Sequence, residues 1–309
     1  MLVFATSDKG GTGRSVTSSN VLYRRALHGS DVCYLDFDFG SPTAGAIFNV
    51  SHAARGVASG GTSGGLHSYL QGRITEPVRV DVWTESDRES LRIRPLDAGL
   101  LTLLPGDMNG GEFASTREVV QRCARLFLRL EEEYEICLVD LSAGRSYAVE
   151  IVLAATALPE LRGTVARWLV FHRWTRQHII AASGLVFGDR GILDSGQRRG
   201  HDRDELGASI RFVRTAVMTP DSPELAAMRS PQVAWLRDCN RDLQELSNKH
   251  GLGRTTMLGQ VPLDPVLQWR EQLISDDDVL TSQVANRGTV EAFDRLARSI
   301  VDDAAWEGL

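Results

Sequence analysis

Lysine is almost absent from this sequence of 309 residues. Only Lys9 and Lys249 occur among 34 basic residues, so arginine carries nearly all of the positive charge. Long apolar runs are missing too, which argues against a membrane-spanning helix. No secretory signal is recognisable, because the first short apolar run is followed at once by a charged, glycine-rich segment. We therefore expect a cytoplasmic protein. Because lysine is so rare in this sequence, we also expect that a lysine is required at position 9.

Cysteine and histidine offer no metal-binding pattern. Cys33 and Cys137 fall in apolar runs that predict buried strands, so we expect reduced, structural thiols. The seven histidines are scattered, and we predict no zinc site. The net charge of −6 and the acidic segment 299–309 argue against binding to anionic lipid, so we expect no membrane partner.

Composition and pattern indicate one large α/β domain over residues 1–309. The chain is 42% hydrophobic and 24% charged, with strand and helix patterns alternating throughout. This alternation predicts a mostly parallel sheet of seven or eight strands with helices on both faces. Segments rich in Gly, Ser or Arg, 51–68 and 188–205, are predicted to be mobile loops. The longest predicted helices are 113–133, 174–187, 230–250 and 287–303.

The segment KGGTGRS, residues 9–15, follows an apolar strand (2–5) and precedes a predicted helix (15–27). Strand, glycine loop and helix in this order are typical of a phosphate-binding loop, since glycine lets successive N–H groups turn towards an anion at the helix N-terminus. A glycine turn without a ligand is the alternative. The Ser15 hydroxyl is a candidate magnesium ligand. The residues predicted to bind the nucleotide here are Gly10, Gly11, Thr12, Gly13, Arg14 and Ser15.

Two further strands end in acids. Asp36 and Asp38 follow the strand 31–34, and Asp140 follows the apolar run 136–139. Because parallel strands place their carboxyl ends at one edge of a sheet, we expect these acids near the phosphate loop. There Asp36 and Asp140 could hold Mg²⁺, although solvated turn carboxylates are the alternative for the first two acids.

These motifs together resemble the MinD and ParA family of dimerising ATPases. KGGTGRS resembles the family's deviant Walker A loop KGGxGKS/T, LDFDFG is similar to switch I, and LVDLSAG resembles Walker B with switch II. The resemblance implies a P-loop NTPase fold, with Lys9 contacting phosphates bound to the other subunit of a dimer. It implies that Asp38 orients the attacking water and that Gly144 offers its N–H to the γ-phosphate.

A later segment, LGQVPLDP at residues 258–265, resembles the family's adenine-pocket segment. The resemblance makes Val261, Pro262 and Asp264 candidate base-binding residues. Without it, the two prolines fit an ordinary strand-to-loop turn equally well.

Departures from the family pattern bear on turnover. Arg14 replaces the usual lysine, Ser142 replaces the usual proline, and the strand 210–217 lacks the common asparagine. A planar guanidinium does not reproduce a compact ammonium between phosphates, so we expect slow hydrolysis.

The predicted function is a MgATP-dependent dimerising ATPase that positions a protein or DNA cargo. The principal alternative is a pseudo-ATPase scaffold or regulator without turnover, and a metabolic P-loop enzyme is a third. The arginines of 188–205 allow contact with DNA, but the acids among them and the net negative charge argue against it.

Overall fold

The computed structural model describes residues 1–218 and 228–307. Within those ranges one eight-stranded sheet has the order β3-β4-β2-β5-β1-β6-β7-β8. All neighbouring strands are parallel except β3 and β4, which are antiparallel. The predicted mostly parallel α/β fold is therefore confirmed. The strands are β1 (Leu2–Ser7), β2 (Val32–Phe37), β3 (Val80–Asp81), β4 (Leu101–Leu104), β5 (Ile136–Leu141), β6 (Ala166–Arg173), β7 (Ile210–Val217) and β8 (Met257–Pro262).

The central strands are buried on both faces. In β1, Leu2 and Phe4 belong to one apolar cluster, whereas Val3 and Ala5 belong to the other. Successive side chains of a strand point to opposite faces, so the two clusters are the two sides of the same sheet. An uninterrupted apolar run is what a parallel strand needs when helices cover both sides of it.

Helices complete both layers, and the long ones begin and end close to their predicted bounds. The first cluster contains side chains from α6, α7 and α8, and the second contains side chains from α1 and α14. The helices are α1 (Arg14–Leu27), α2 (Ala44–Ile47), α3 (Leu66–Leu70), α4 (Val82–Glu85), α5 (Glu89–Arg92), α6 (Arg117–Glu133), α7 (Tyr147–Thr156), α8 (Arg176–Phe187), α9 (Ile192–Arg198), α10 (Arg203–Ala208), α11 (Ser230–Lys249), α12 (Pro265–Trp269), α13 (Asp276–Leu280) and α14 (Arg287–Ser299).

The segment 188–205, predicted to be a loop, is largely helical. It contains α9 and the start of α10, and Ile192 and Leu193 bury their side chains in the core, as does Leu206 directly after the segment. Asp202 caps α10 by accepting two backbone N–H groups. The abundant charges therefore mark the solvent face of short helices, and the loop prediction was wrong for this segment.

The segment 51–68 is mostly irregular, as predicted, between a 3₁₀ turn at Ser51–Ala53 and the start of α3. Its mobility stays a prediction. Other 3₁₀ turns are Pro159–Leu161, Arg254–Thr256 and Asp303–Ala305. Among residues 1–218 and 228–307, no helix combines the length and the apolar character needed to cross a bilayer. The last two residues of the acidic segment 299–309 lie outside the described residues.

Candidate functional site

The loop between β1 and α1 presents backbone donors to solvent. Gly11 and Gly13 have φ angles of 71° and 74°, in the left-handed region that glycine adopts without strain. No side chain caps the N-terminus of the 14-residue helix α1. Within the described chain, the N–H groups of residues 10–15 donate to no other backbone group. Free donors and the positive end of the helix dipole together favour a negative charge at this position.

Strand pairing brings the predicted acids to this loop. Asp140 in β5 is paired in register with Asp36 in β2 and with Ala5 in β1. Asp36 and Asp140 are buried, whereas the side chain of Asp38, beyond the end of β2, is 30% exposed. The three acids therefore occupy one edge of the sheet, with Asp38 nearest to solvent.

Arg14 directs its guanidinium at these acids. Its Nε donates to Asp140 Oδ1, and its Nη2 donates to Asp38 Oδ2 at 3.0 Å. Nη2 also donates to Ser15 Oγ at 3.3 Å. Burial alone would lower the pKa of Arg14, but the Asp140 and Asp38 carboxylates raise it above its ordinary value. The sequence predicted Arg14 as a phosphate contact, whereas in the structure its Nε and Nη2 contact two acids, because a planar guanidinium spans both of them.

Asp140 accepts hydrogen bonds on both carboxylate oxygens. Tyr34 Oη donates to Oδ2 at 2.7 Å, while Arg14 Nε occupies Oδ1. Burial, and then the charge of Asp140, raises the pKa of Tyr34 well above its usual range, so the phenol stays a donor. Sequence reasoning missed Tyr34. Its signal was the position two residues before Asp36, which places both side chains on one face of β2.

Asp36 holds the segment that follows β2. Its carboxylate accepts N–H bonds from Ala44 at 3.0 Å and from Asp38 at 3.3 Å. Burial, opposed in part by the Ala44 N–H and reinforced by the charge of Asp140, raises the pKa of Asp36 to about 8. The acid therefore orders the loop from β2 to α2.

The predicted magnesium ligands, Ser15, Asp36 and Asp140, do not fit a metal in this arrangement. Mg²⁺ needs oxygen ligands in near-octahedral geometry, and the oxygens of both acids already accept hydrogen bonds from protein donors. The Ser15 hydroxyl accepts one from Arg14. In the described ranges, no group of three or more His, Cys, Asp or Glu could hold a metal ion.

The turn after β5 also differs from expectation. The Gly144 N–H, expected to be free for a γ-phosphate, donates to the Ser7 carbonyl at 2.7 Å. This happens because β5 adjoins β1 and both strands end at the same edge. Ser142 Oγ accepts the Phe39 N–H at 3.0 Å and donates to the Phe37 carbonyl at 3.2 Å. The serine that replaces proline therefore ties the segment after β5 to the segment after β2.

Two cavities open beside the glycine loop. One, of about 150 Å³, is lined by residues 10–16 with Asp38 and Ala143. The other, of about 220 Å³, lies towards the ends of β7 and β8. The loop and Glu271 line both cavities. The two cavities are therefore adjacent to each other and share one wall, the glycine loop.

The predicted base-binding residues Val261, Pro262 and Asp264 line the larger cavity. The Asp264 carboxylate, however, accepts hydrogen bonds from the Asn286 N–H at 2.9 Å and the Thr289 hydroxyl at 2.7 Å. Asp264 therefore fixes α14 to the cavity wall, and its carboxylate is engaged by the protein.

Sequence reasoning missed the wall contributed by β6 and β7. Arg173, Thr215 and Ala216 line the larger cavity, and Thr215 Oγ1 donates to the Thr12 carbonyl of the loop. Ala216 has a φ of 52°, unusual for a residue with a side chain, where the β7–β8 pairing is irregular. These residues have no local motif and come to the site only because β6 and β7 lie beside β1.

Lys9 lies at the entrance of the glycine loop and is half-buried. Its carbonyl accepts a hydrogen bond from Ser7 Oγ at 3.0 Å. The adjacent Asp8 pairs with Arg145 at 3.5 Å, and within residues 1–218 and 228–307 the Lys9 ammonium forms no ion pair. Its charge is therefore not neutralised by an acid in the described part of the chain.

Comparison with known proteins identifies the fold. No protein-family model matches the chain, and no curated protein matches its sequence. Among solved structures, it is similar to the MinC:MinD cell division protein complex of Aquifex aeolicus, with 17% identity, a TM-score of 0.56, and coverage of 97% of this chain and 95% of that one.

Two similar structures contain nucleotides. The septum site-determining protein MinD of Pyrococcus horikoshii, complexed with Mg-ADP, has 13% identity, a TM-score of 0.51, and 98% coverage of both chains. A putative plasmid partition protein of Borrelia burgdorferi, bound to AMPPNP, has 11% identity, a TM-score of 0.54, and 97% coverage of both. The chain therefore has the fold of the MinD/ParA ATPases.

Proposed function

We propose that this protein is a nucleotide-dependent dimerising switch of the MinD/ParA kind, which positions or regulates a cargo and hydrolyses ATP slowly. The observation that carries the proposal is the set of free N–H groups of residues 10–15, at the N-terminus of α1 and open to two cavities. Such a cradle is built for a phosphate chain. The Mg-ADP and AMPPNP in two proteins of the same fold support this assignment.

Dimerisation is supported by Lys9. Its ammonium has no ion-pair partner in the described part of its own chain, whereas the adjacent Asp8 pairs with Arg145 at 3.5 Å. A phosphate bound by a second copy would supply the missing negative charge. Nucleotide bound by each subunit would then link the two subunits.

The rate of ATP hydrolysis distinguishes the proposed slow ATPase from a second candidate function. Asp38, the proposed water-orienting acid, is held by Arg14 at 3.0 Å, and it must leave this contact to act on water. The contact favours slow hydrolysis, and it equally favours the second candidate, a pseudo-ATPase scaffold that binds nucleotide without turnover. Phosphate release that Asp38→Ala abolishes identifies an ATPase, whereas release no faster than in a protein-free blank identifies the scaffold.

A protein cargo is favoured over DNA. In the segment 188–205, Arg198 pairs with Asp194 at 2.9 Å and Arg199 pairs with Glu150 at 3.4 Å. These neighbouring acids reduce the positive field that nonspecific DNA binding requires. The MinC:MinD complex is a protein–protein assembly of the same fold, which supports a protein partner.

The dimer proposal is tested by light scattering after size exclusion, with ATP, AMPPNP or ADP. We expect wild type to dimerise with ATP or AMPPNP, and Lys9→Ala to bind nucleotide but stay monomeric. Lys249→Ala is the matched control, because it removes the other lysine, at the exposed end of α11. Lys9→Ala dimers as abundant as those of wild type would remove the cross-subunit role, and absence of nucleotide binding by wild type would reject the function.

A further inference from the structure

Asp140 and Asp38, at the edge of the sheet, already have a cation beside them, the Arg14 guanidinium. The Arg14 side chain is 7% exposed and that of Asp140 is 2% exposed. Through Nε and Nη2, the guanidinium reaches Asp140 and Asp38 together. Arg14 therefore neutralises both Asp140, in β5, and Asp38, just beyond the end of β2.

This contact resists displacement. Removing one partner of a buried ion pair leaves an uncompensated charge in a poorly solvated place, which is strongly unfavourable. A lysine ammonium is a point charge that exchanges partners easily, whereas the guanidinium fork is matched to acids in fixed directions. Arg14 sits at the first position of α1, so its backbone is fixed by the helix.

A divalent cation beside Asp140 would compete with donors of the protein for the oxygens of Asp140 and Asp36. The second oxygen of Asp140 accepts from Tyr34 at 2.7 Å, and the Asp36 carboxylate accepts the Ala44 N–H. A metal ion beside Asp140 would also lie against the positive charge of Arg14, and like charges at short range repel strongly where solvent is excluded.

We infer that this site binds its nucleotide as the metal-free anion, with Arg14 supplying the positive charge beside Asp140 that Mg²⁺ would otherwise supply. The inference rests on the proposed nucleotide binding and names the form of the ligand. Arg14 stays on Asp140, and the phosphates are held by the N–H groups of the loop. The ligand is a free nucleoside triphosphate or diphosphate.

The test is calorimetric titration of the full-length protein with ATP, once in excess Mg²⁺ and once in excess EDTA. For wild type we expect the two dissociation constants to agree within about threefold. For Arg14→Lys we expect Mg²⁺ to tighten binding by about tenfold or more, because a lysine can release Asp140 to the metal. Arg287→Lys is the matched control, since its side chain is 81% exposed on α14, and it should behave as wild type.

Each other outcome has a separate meaning. Wild-type binding that Mg²⁺ tightens tenfold or more overturns the inference and leaves the proposed function intact. Folded Arg14→Lys that stays indifferent to Mg²⁺ overturns the role of Arg14. Absence of ATP binding in both conditions rejects the proposed function itself. The wild-type comparison decides the ligand form even if Arg14→Lys does not fold.

Discussion

Replacing Tyr34 by phenylalanine isolates one interaction of the Asp140 cluster. The ring itself packs edge-on against Phe48, with centroids 5.2 Å apart, and this packing is retained. The change removes only the hydrogen bond from Oη to Asp140 Oδ2, which is 2.7 Å long and buried. A hydrogen bond to a charged partner contributes about 1.5–3 kcal/mol, so we expect Tyr34→Phe to lower the free energy of unfolding by about 2 kcal/mol.

Tyr134→Phe is the matched control for this change. Its hydroxyl donates to Thr102 Oγ1 at 3.1 Å, a buried bond between neutral groups. Such a bond contributes about 1 kcal/mol. Both variants are compared with wild type by urea unfolding followed by circular dichroism at neutral pH. We expect Tyr34→Phe to have the larger effect of the two.

Asp140→Asn completes a double-mutant cycle. In that background the acceptor is neutral, so the loss caused by Tyr34→Phe should fall to about 1 kcal/mol. The reasoning is refuted if Tyr34→Phe costs no more than the control, or if its cost is the same in both backgrounds. Either result would mean that Asp140 is not a charged acceptor of the Tyr34 hydroxyl.

Two further predictions concern the neighbouring strands. Thr215→Val keeps the shape of the side chain but removes the hydroxyl bonded to the Thr12 carbonyl, so we expect a loss of about 1 kcal/mol in urea unfolding and weaker ATP binding by calorimetry; unchanged affinity would contradict an anchoring role. Burial lowers the pKa of His172 to about 4, below its unfolded value of about 6.5. The unfolded chain therefore gains the proton first as pH falls, and stability decreases between pH 6.5 and 4. From pH 7 to pH 5, wild type should lose about 2 kcal/mol more than His172→Gln, and equal losses would contradict burial of a neutral imidazole.

Local pattern was enough to predict the framework of the site. The run 2–5, the glycine loop and the apolar run before Asp140 each predict an element by periodicity or by turn chemistry. Because parallel strands share a carboxyl edge, the meeting of loop and acids followed from the strand pattern. The same reasoning failed for 188–205, where charged residues concealed the buried positions Ile192 and Leu193. Short helices with few apolar residues give too weak a periodicity to be distinguished from a loop.

Local sequence pattern did not predict which groups each side chain contacts. Asp264 was predicted from a resemblance to face a base, but its carboxylate is bound to Thr289 of α14. Gly144 was expected to have a free N–H, but the turn after β5 closes on Ser7. Both contacts depend on which elements become neighbours in space, and neither leaves a mark in the residues around it.

The sequence by itself determined the strand-loop-helix unit, the parallel sheet and the types of charged residue at its edge, because periodicity, glycine content and terminal acids are local properties. Only the tertiary structure decided what those charges do. Arg14 and Asp140 are 126 residues apart in the chain, and they meet because β5 pairs with β1 and β2. That pairing buries the two charges together. Arg14, which the sequence predicted to contact phosphate, therefore neutralises Asp140 in the structure.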